Sequence, residues 1–490
     1  MITNEAFRKS LLSCTNGKVP RNIIIALSGG VDSICLTYLL VQFKKHFDEQ
    51  LQIHAVTIDH KYRNGSGEEA AKVGDIVKKW GVNHIVKSLE YEQSVHDISN
   101  FEEVARMKRY STFESVCHSL NIPGLFVAHN LNDQLETYIQ RLQGNSSIFG
   151  LAGLKSNTSL PLQQSAPFSH RERISVYRPL LPFDKSDIIS TCTENGVSWF
   201  EDATNSDINL TKRNYLRHLI NVEIPKKLEG ARHDGDWQSI SKANLVKIHN
   251  EVAEFAHSIE TKVDNLWKLI EDERRIEIDY RNASLSIKFY PKILEETNII
   301  VVSKYLYQVL FPFSSIRHYH WAYAKLERQL VPRLIKAVND GRPDSKLTYL
   351  NLTFTYEKTS DGNIRINVTR QPVLRESIAE MSFFCDVARE WTKWELFDRR
   401  FWLRFSLISN GVSNESKRIR IVPYNHKKHL SRIHESIRGC TKYSSKMNAT
   451  PVVFLEDTII AFPTYNINSE SDLAFQWYPK DNVYRPNSRL

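Results

Sequence analysis

The sequence contains few cysteines and none of the cysteine pairs that commonly ligate metals. Its six cysteines stand at positions 14, 35, 117, 192, 385 and 440, with no Cys-x-x-Cys pair among them. This spacing excludes the common zinc and iron–sulfur motifs and a disulfide-stapled fold, and it favours a reducing compartment. No apolar run is long enough to span a membrane, and the N-terminus lacks the apolar core of a secretory signal. We therefore expect no membrane partner.

Positive charge is in excess. The 490 residues include 65 Lys and Arg against 56 Asp and Glu, a net charge of +9, and 41% are hydrophobic. The length predicts two to four domains with ample cores, and the charge indicates a polyanionic partner. Near the N-terminus, Arg8, Lys9, Lys18 and Arg21 stand against Glu5. This composition fits a mitochondrial transit segment or an ordinary solvated one, so we expect the mitochondrial matrix ahead of the cytoplasm.

The first 145 residues alternate between strand-length and helix-length segments. Apolar runs that can be buried on both faces, alternating with helices, predict an α/β domain with a doubly wound parallel sheet. Ligands bind such sheets beyond the carboxyl ends of the strands. The predicted strands are 23–27, 53–58 and 125–128, and the predicted helices are 31–46, 67–80 and 98–120.

The rest of the chain is organised differently. The polar stretch 155–177 is expected to be a loop. Apolar residues at spacings of three and four predict a long amphipathic helix over 243–272, in a helical region that reaches about residue 340. A β-hairpin is predicted around Asp361-Gly362, and paired strands at 451–454 and 459–463, in a small α+β C-terminal domain. The predicted domains are therefore 1–220, 221–340 and 341–490.

The segment from Ser28 to Ser33, Ser-Gly-Gly-Val-Asp-Ser, follows the first predicted strand and opens a helix. Its glycines let the backbone approach a phosphate, and the free N–H groups of a helix N-terminus point at the anion. The carboxylate of Asp32 beside a bound phosphate indicates a Mg²⁺ ion between them, or another charge to organise. The alternative is a glycine-rich turn in which serine and aspartate cap the helix.

Further polar residues are expected at the same edge of the sheet. Asp59 and His60 end the second predicted strand, His129 ends a later one, and Asp133 lies in the first turn of the next helix. Arg109 lies on the preceding helix, from which a cation could reach a phosphate or a developing oxyanion. The alternatives are a polar strand end, an acid that caps a helix, and a surface ion pair within one helix.

Together these motifs resemble the N-type ATP pyrophosphatases, the PP-loop family, and within it the tRNA(Ile)-lysidine synthetases. The similarity includes Ser-Gly-Gly-x-Asp-Ser, the Asp-His pair at 59–60, the run Glu-x-x-Ala-Arg-x-x-Arg-Tyr at 102–110, and the signature that begins at Ala128. In that signature Asn130 and Asn132 replace the family's second His and first Asp, whereas Asp133 matches its second Asp. The resemblance is strong over residues 20–220 and weak beyond them.

The resemblance implies a ligase that joins the ε-amine of free lysine to C2 of the wobble cytidine in a tRNA(Ile) with a CAU anticodon. ATP would become AMP and pyrophosphate by way of an adenylated intermediate. The resemblance implies catalytic roles for Asp32, Arg109 and Asp133, with Asp32 and Asp133 either holding Mg²⁺ or orienting the attacking amine. Separately, we expect the chain to form a homodimer. The implied ATP site consists of Ser28, Gly29, Gly30, Val31, Asp32, Ser33, Asp59, His60 and His129.

Contacts with tRNA are expected in two places. The first is the end-of-domain motif of the family, which Arg178, Arg213 and Arg217 resemble. The second is the stretch 417–446, which has nine Lys and Arg and one acid, Glu435. Dense positive charge with interleaved tyrosines suits a phosphate backbone, although such a stretch can also be a solvated face. The residues expected to bind tRNA there are Lys427, Lys428 and Arg432, with Tyr424 and Tyr443 between the charges.

Three other functions stay open at this point. A PP-loop tRNA thiolase commonly uses paired cysteines, which this chain lacks. An amide ligase for a small metabolite would have no use for the basic stretch. A non-catalytic tRNA-binding homologue would explain Asn130 and Asn132, but the presence of Asp32, Arg109 and Asp133 argues against it.

Overall fold

A computed structural model describes residues 1–61, 65–91, 101–160, 174–201, 208, 211–230, 239–317, 319–341, 346–408 and 416–480. By their internal contacts, these residues separate into a first unit that ends at Ala256 and a second unit that begins at His257. The division of the chain at about 220 and 340 stays a prediction. In the described part of the chain, no helix is both long and apolar enough to cross a membrane.

The first unit contains a six-stranded sheet with the order β3-β2-β1-β4-β6-β5. The strands from β1 to β4 and β6 run parallel, and β5 pairs antiparallel to β6 at the edge. This order confirms the predicted doubly wound α/β class. The strands are β1 Asn22–Ala26, β2 Gln52–Asp59, β3 Asn83–Ser88, β4 Gly124–Phe126, β5 Asn157–Ser159 and β6 Ser175–Tyr177.

Helices cover both faces of this sheet because β1 is apolar on both sides. Side chains alternate along a strand, so Ile23 and Ile25 lie in one core and Ile24 lies in the other. The helices of this unit are α1 Asn4–Cys14, α2 Val31–Phe47, α3 Ser66–Lys78, α4 Phe101–Leu120, α5 Leu131–Gln143, α6 Ile148–Leu151, α7 Lys185–Glu194, α8 Lys212–His218 and α9 Ile224–Gly230. The next helix, α10 Lys242–Asp272, begins in this unit and ends in the second one.

Two elements of this unit differ from expectation. The edge strand β3 was not predicted, because its side chains are mostly solvent-exposed and give no apolar run. The stretch 155–177, expected to be a loop, carries β5 and β6 at its two ends. The N-terminal basic segment also has a structural role, since Phe7 and Leu11 of α1 are buried in the core of the unit. The mitochondrial location stays a prediction.

The second unit contains three antiparallel sheets, with the orders β7-β8-β11-β10-β9, β12-β15-β16-β17-β18 and β13-β14-β19. The first seven strands are β7 Ile276–Asp279, β8 Ser284–Phe289, β9 Leu347–Tyr349, β10 Leu352–Lys358, β11 Ile364–Arg370, β12 Phe383–Val387 and β13 Glu395–Phe397. The others are β14 Phe401–Leu407, β15 Lys417–Pro423, β16 Pro451–Leu455, β17 Thr458–Phe462, β18 Ile467–Asn468 and β19 Leu473–Pro479.

The predicted pairings in this unit are confirmed. The hairpin around Asp361-Gly362 is β10 with β11, and the two C-terminal strands are β16 with β17. The long helix predicted over 243–272 is α10. The region expected to be helical up to residue 340 also contains the pair β7 and β8. Its helices, with those that follow, are α11 Ile299–Val309, α12 Ala322–Lys325, α13 Val331–Asn339, α14 Arg375–Met381 and α15 His426–His429.

Candidate active site

The loop between β1 and α2 is held by its own serines. The Ser33 hydroxyl accepts from the backbone N–H of Ser28 over 3.1 Å and donates to the carbonyl of Gly30 over 3.0 Å. Gly29 has φ +88°, and a Cβ there would lie 2.6 Å from Val73 Cγ2, so the position requires glycine. No side chain caps the helix at Gly30, which leaves the N–H groups of the first turn of α2 suited to an anion.

A cavity of about 730 Å³ opens beside this loop, and its size suits a nucleotide. It lies at the carboxyl ends of the parallel strands, where doubly wound sheets bind ligands. Its polar lining brings together residues that are far apart in the sequence but were predicted to act together. These are Ser28, Asp32, Ser33, Asp59, His60, Arg109 and His129.

Asp32 lies in the first turn of α2 and has a donor at each carboxylate oxygen. Asn130 Nδ2 donates to its Oδ1 over 2.9 Å, and Lys185 Nζ donates to its Oδ2 over 2.5 Å. A carboxylate oxygen can accept more than one contact. Asp32 therefore fits a Mg²⁺ ion that also binds substrate phosphates, because Mg²⁺ usually takes one or two carboxylates with phosphates and waters.

Asp133 is held differently from Asp32. Its Oδ2 accepts from the backbone N–H of Asn130 over 2.9 Å, and the Asn130 side chain in turn accepts from the backbone N–H of Asp133, a capping box at the start of α5. Its Oδ1 pairs with the Arg213 guanidinium. Asn130 bonds both Asp133 and Asp32 and so holds them at the same edge of the sheet. Asp133, however, is not among the residues that line the cavity.

Arg213 and Arg217, predicted to contact tRNA, both bind an acid of the α5 signature. Glu136 is only 1% exposed, and its carboxylate accepts from Arg213 Nε over 2.6 Å and from Arg217 Nε over 2.8 Å. A buried carboxylate without partners would be strongly destabilising. The two arginines therefore neutralise the buried Glu136 carboxylate of α5, and their exposed parts can still contact other groups.

Asp59 and His60 line the cavity from the end of β2. The Asp59 carboxylate accepts from the Ser66 hydroxyl over 2.6 Å and from the backbone N–H of Lys61 over 2.9 Å. The bond from Ser66 holds the end of β2 to the first residue of α3. His60 shares a 3.0 Å hydrogen bond with the Tyr91 hydroxyl, and burial together with the charge of Arg109 lowers the pKa of its imidazole.

Arg109 reaches the cavity from α4. Burial and the nearby guanidinium of Arg106 lower its pKa, although Tyr110 opposes that effect. Among the residues that the structure describes, no carboxylate pairs with Arg109. A half-buried cation of this kind, facing a cavity, is suited to an anionic substrate.

His129 and Arg178 form a pair at the floor of the site. Arg178 Nε donates to His129 Nδ1 over 3.3 Å, while its Nη1 donates to the carbonyl of Lys155 and to the Thr158 hydroxyl. Arg178 is 6% exposed. Its burial conflicts with the predicted contact to tRNA, and the geometry makes it the residue that orients His129. Burial lowers the pKa of His129 to about 4, so its ring is neutral near pH 7.

The basic stretch of the second unit begins in β15 and continues as the segment 424–446, here called the basic loop, which is anchored in the core of that unit. Ile433, Ile437 and Met447 are buried, whereas Lys427, Lys428 and Arg432 are exposed. Only Arg432 of these three has an acid nearby, Asp457 at 3.6 Å, among the residues for which the structure gives contacts. The three cations are therefore available to a polyanion.

The sequence places Tyr424 and Tyr443 between the charges of this stretch, but in the structure both tyrosines are less exposed than those three cations. Tyr424 is 2% exposed and packs against Phe462, and the Tyr443 hydroxyl donates to the carbonyl of Ile437. Tyr424 is therefore inaccessible to a phosphate backbone, whereas Tyr443 is only partly buried. His429 adds no charge, since burial and then Arg432 lower its pKa to about 4.

Comparison with known proteins agrees with this geometry. A family model described as a PP-loop domain matches residues 3–224. Residues 3–224 are a PP-loop domain. The whole chain is 26% identical, over 96% of both proteins, to a Schizosaccharomyces pombe protein named "Probable tRNA(Ile)-lysidine synthase". It is 32% identical, over 59% of its length, to a Mycoplasma mycoides protein named "tRNA(Ile)-lysidine synthase". These relatives confirm the resemblance that the motifs indicate.

The alignments differ in extent. The match to the Mycoplasma mycoides protein spans 65% of that relative, less than two thirds of it. A solved structure of a U34-tRNA thiolase from Methanococcus maripaludis covers 50% of this chain and 78% of its own, with a TM-score of 0.37 and 14% identity.

Sequence reasoning missed Lys185 and Glu136 of the PP-loop domain and treated Asn130 only as a departure from the family. Lys185 contacts Asp32 across 153 positions of sequence, and no local pattern signals such a pair. Glu136 lies in the signature, but its burial follows from the packing of α5 and α8. Asn130 could have been recognised as a helix cap, because asparagine before an apolar-periodic helix is a preferred N-cap.

Proposed function

We propose that this chain is a tRNA(Ile)-lysidine synthase. The observation that carries the proposal is that six residues of the expected ATP site line one cavity, in a chain that resembles a protein of that name over almost its whole length. The six are Ser28, Asp32, Ser33, Asp59, His60 and His129. The product would be a tRNA(Ile) whose wobble cytidine carries lysine at C2, and the enzyme would be a ligase that forms a carbon–nitrogen bond.

The reaction has two steps. The O2 atom of the cytidine attacks the α-phosphorus of ATP, and the bond to pyrophosphate breaks. The ε-amine of lysine then attacks C2, the C2–O bond breaks with release of AMP, and the amine loses a proton. The first step is required because the cytosine oxygen is a poor leaving group until it is adenylated.

The side chains of the cavity suit these steps. Ser28, Ser33 and the first turn of α2 would hold the phosphates, because they offer hydroxyl and N–H donors beside two glycines. Arg109 would stabilise the negative charge that grows on the phosphate in the transition state. His129 would donate from Nε2, since Arg178 donates to its Nδ1 and a neutral ring then carries its proton on the other nitrogen.

The carboxylates would serve the metal. A bound Mg²⁺ would offset phosphate charge and polarise the phosphorus. Asp32 is its expected ligand because it lines the cavity, whereas Asp133 is not among the lining residues and is bonded to Asn130 and Arg213. If Asp133 does not bind the metal, it would act indirectly. Its bond to Asn130 would help to orient Asp32, and its bond to Arg213 would help to orient α8.

The tRNA would be held in part by the basic loop, whose exposed lysines suit a phosphate backbone. Lys427, Lys428 and Arg432 carry that role because they are exposed and contact few acids. The homodimer and the mitochondrial location stay predictions, which sedimentation and cell fractionation would test.

The decisive experiment is mass spectrometry of the wobble nucleoside after incubation of the protein with tRNA(Ile), ATP and isotopically labelled lysine. We expect a mass increase that contains the label, together with pyrophosphate release that requires both tRNA and lysine. Pyrophosphate release with sulfur incorporation would indicate a thiolase instead. Binding of tRNA without pyrophosphate release would indicate a non-catalytic homologue.

A further inference from the structure

The ammonium of Lys185 lies where a positive charge is unfavourable unless an anion is close to it. It is the first residue of α7, and its ammonium lies 2.5 Å from Asp32 in the first turn of α2. The N-terminus of a helix carries partial positive charge. The ammonium is therefore near the positive ends of two helices, and the Asp32 carboxylate offsets that repulsion.

The backbone fixes the start of this side chain. The N–H of Lys185 donates to Asn132 Oδ1 over 3.3 Å, and the preceding residue, Asp184, caps α7. The same Asn132 oxygen accepts from Lys242 Nζ over 3.2 Å, and Lys242 also pairs with Asp184. Lys185 is thus anchored at its base, while its side chain is 35% exposed.

From this geometry we propose that Lys185 is a positioning residue that competes with Mg²⁺ for Asp32. The inference rests on the proposed role of Asp32 as a metal ligand. In the nucleotide-free protein, Lys185 neutralises Asp32 and keeps free metal ions out of the site. Lys185 would give up Asp32 to a metal that arrives with a nucleotide, because phosphate ligands would help to hold that metal. Two cations at one carboxylate repel each other, so binding of one weakens binding of the other.

The test is the binding of Mn²⁺ alone, as a probe for Mg²⁺, measured by electron paramagnetic resonance on the full chain without nucleotide, tRNA or lysine. We expect Lys185→Met to bind Mn²⁺ roughly two- to fivefold more tightly than the natural protein, the range that loss of a part-exposed ion pair allows. Lys185→Arg, which keeps a cation, should bind like the natural protein.

Two controls separate competition from a general change in structure. Lys242→Met removes a lysine of the same network that does not contact Asp32, and it should leave Mn²⁺ affinity unchanged. Combining Lys185→Met with Asp32→Asn should abolish the gain. Unchanged or weaker Mn²⁺ binding by folded Lys185→Met, or no binding by either protein, would overturn the proposal. Failure to form lysidine would not affect this result, because the assay contains neither tRNA nor lysine.

Discussion

The side-chain amide of Asn130 donates to Asp32 over 2.9 Å and thereby connects the start of α5 to the start of α2. The same residue caps α5 through Asp133. One asparagine, 3% exposed, therefore fixes two carboxylates that are expected to act together. The family signature has histidine at this position. In this structure the asparagine connects Asp32 and Asp133.

We predict that Asn130→Ala lowers kcat at least about tenfold, because Asp32 loses one of its two donors and α5 loses its cap. Single-turnover lysidine formation at saturating ATP and tRNA measures this effect. Asn132→Ala is the comparison, since Asn132 bonds Asn221, Lys242 and the backbone N–H of Lys185 but does not itself contact Asp32. Asn132→Ala should lower the thermal midpoint of unfolding but should reduce kcat much less than Asn130→Ala does. Equal rate losses from the two variants would contradict the assignment.

Arg109→Ala should slow lysidine formation by about 10²-fold or more, because a half-buried cation beside the phosphates is lost. Arg109→Lys should recover part of the rate, since it keeps the charge but not the planar donor group. Filter binding of tRNA should be unchanged in both variants. If weaker tRNA binding accounts for the whole loss, Arg109 is a docking residue.

The charged cluster on α5 and α8 should behave as an ion network around one buried carboxylate, that of Glu136. Replacing Arg213 and Arg217 together with Ala leaves the Glu136 carboxylate buried without a partner, and we expect a loss of roughly 3 kcal/mol in unfolding free energy. Adding Glu136→Gln removes that charge and should restore a good part of the stability. Urea unfolding of the double and triple variants measures both. A stable double variant with weak tRNA binding would instead favour docking as their main role.

Much of this arrangement follows from the sequence, and some of it could not. The strand β1 and the loop after it were predictable because Ile23 to Ile25 form an apolar run of strand length that ends in glycines. The hairpin of β10 and β11 was predictable for the same local reason, an alternating pattern around Asp361-Gly362. The pair of Lys185 with Asp32 depends on the packing of α7 beside α2, which no local pattern encodes.

The basic stretch shows which of its properties the sequence could not predict. Charge density could be counted in the sequence, but burial could not, so Tyr424 was expected on the surface and lies in the core. Arg178 was misjudged in the same way, because a family motif says which residue is present and not which way its side chain points.

Neutralising Lys427, Lys428 and Arg432 together should weaken tRNA binding and reduce the slope of log affinity against log salt by up to about 3 units. Turnover at saturating tRNA should largely recover, because these residues lie outside the ATP cavity. A matched control neutralises Lys325, Arg333 and Lys336, which are exposed on other helices of the same unit. Equal effects of the two triple variants would show that net charge alone matters, and not this loop.

Acid should destabilise the protein through His129. Burial lowers the pKa of His129 to about 4 from an ordinary 6.5, so between those values the unfolded chain binds a proton that the folded chain does not. Stability from this residue is complete above pH 6.5 and is lost as the pH falls toward 4. Compared with His129→Gln, the natural protein should lose up to about 1 kcal/mol more between pH 7.5 and 5.5. Urea unfolding at both pH values measures the difference, and parallel curves would contradict it.

The buried residues that anchor the basic loop have a kinetic consequence. Ile433 forms a β-bridge to Ile459, and Met447 lies in the same core, so the loop is ordered when the second unit folds. A tRNA therefore meets a surface whose backbone loses little conformational entropy on contact, and long-range attraction can guide the encounter directly. Salt should then slow association far more than it speeds dissociation, whereas a loop that folded only on binding would show its salt dependence in both rates.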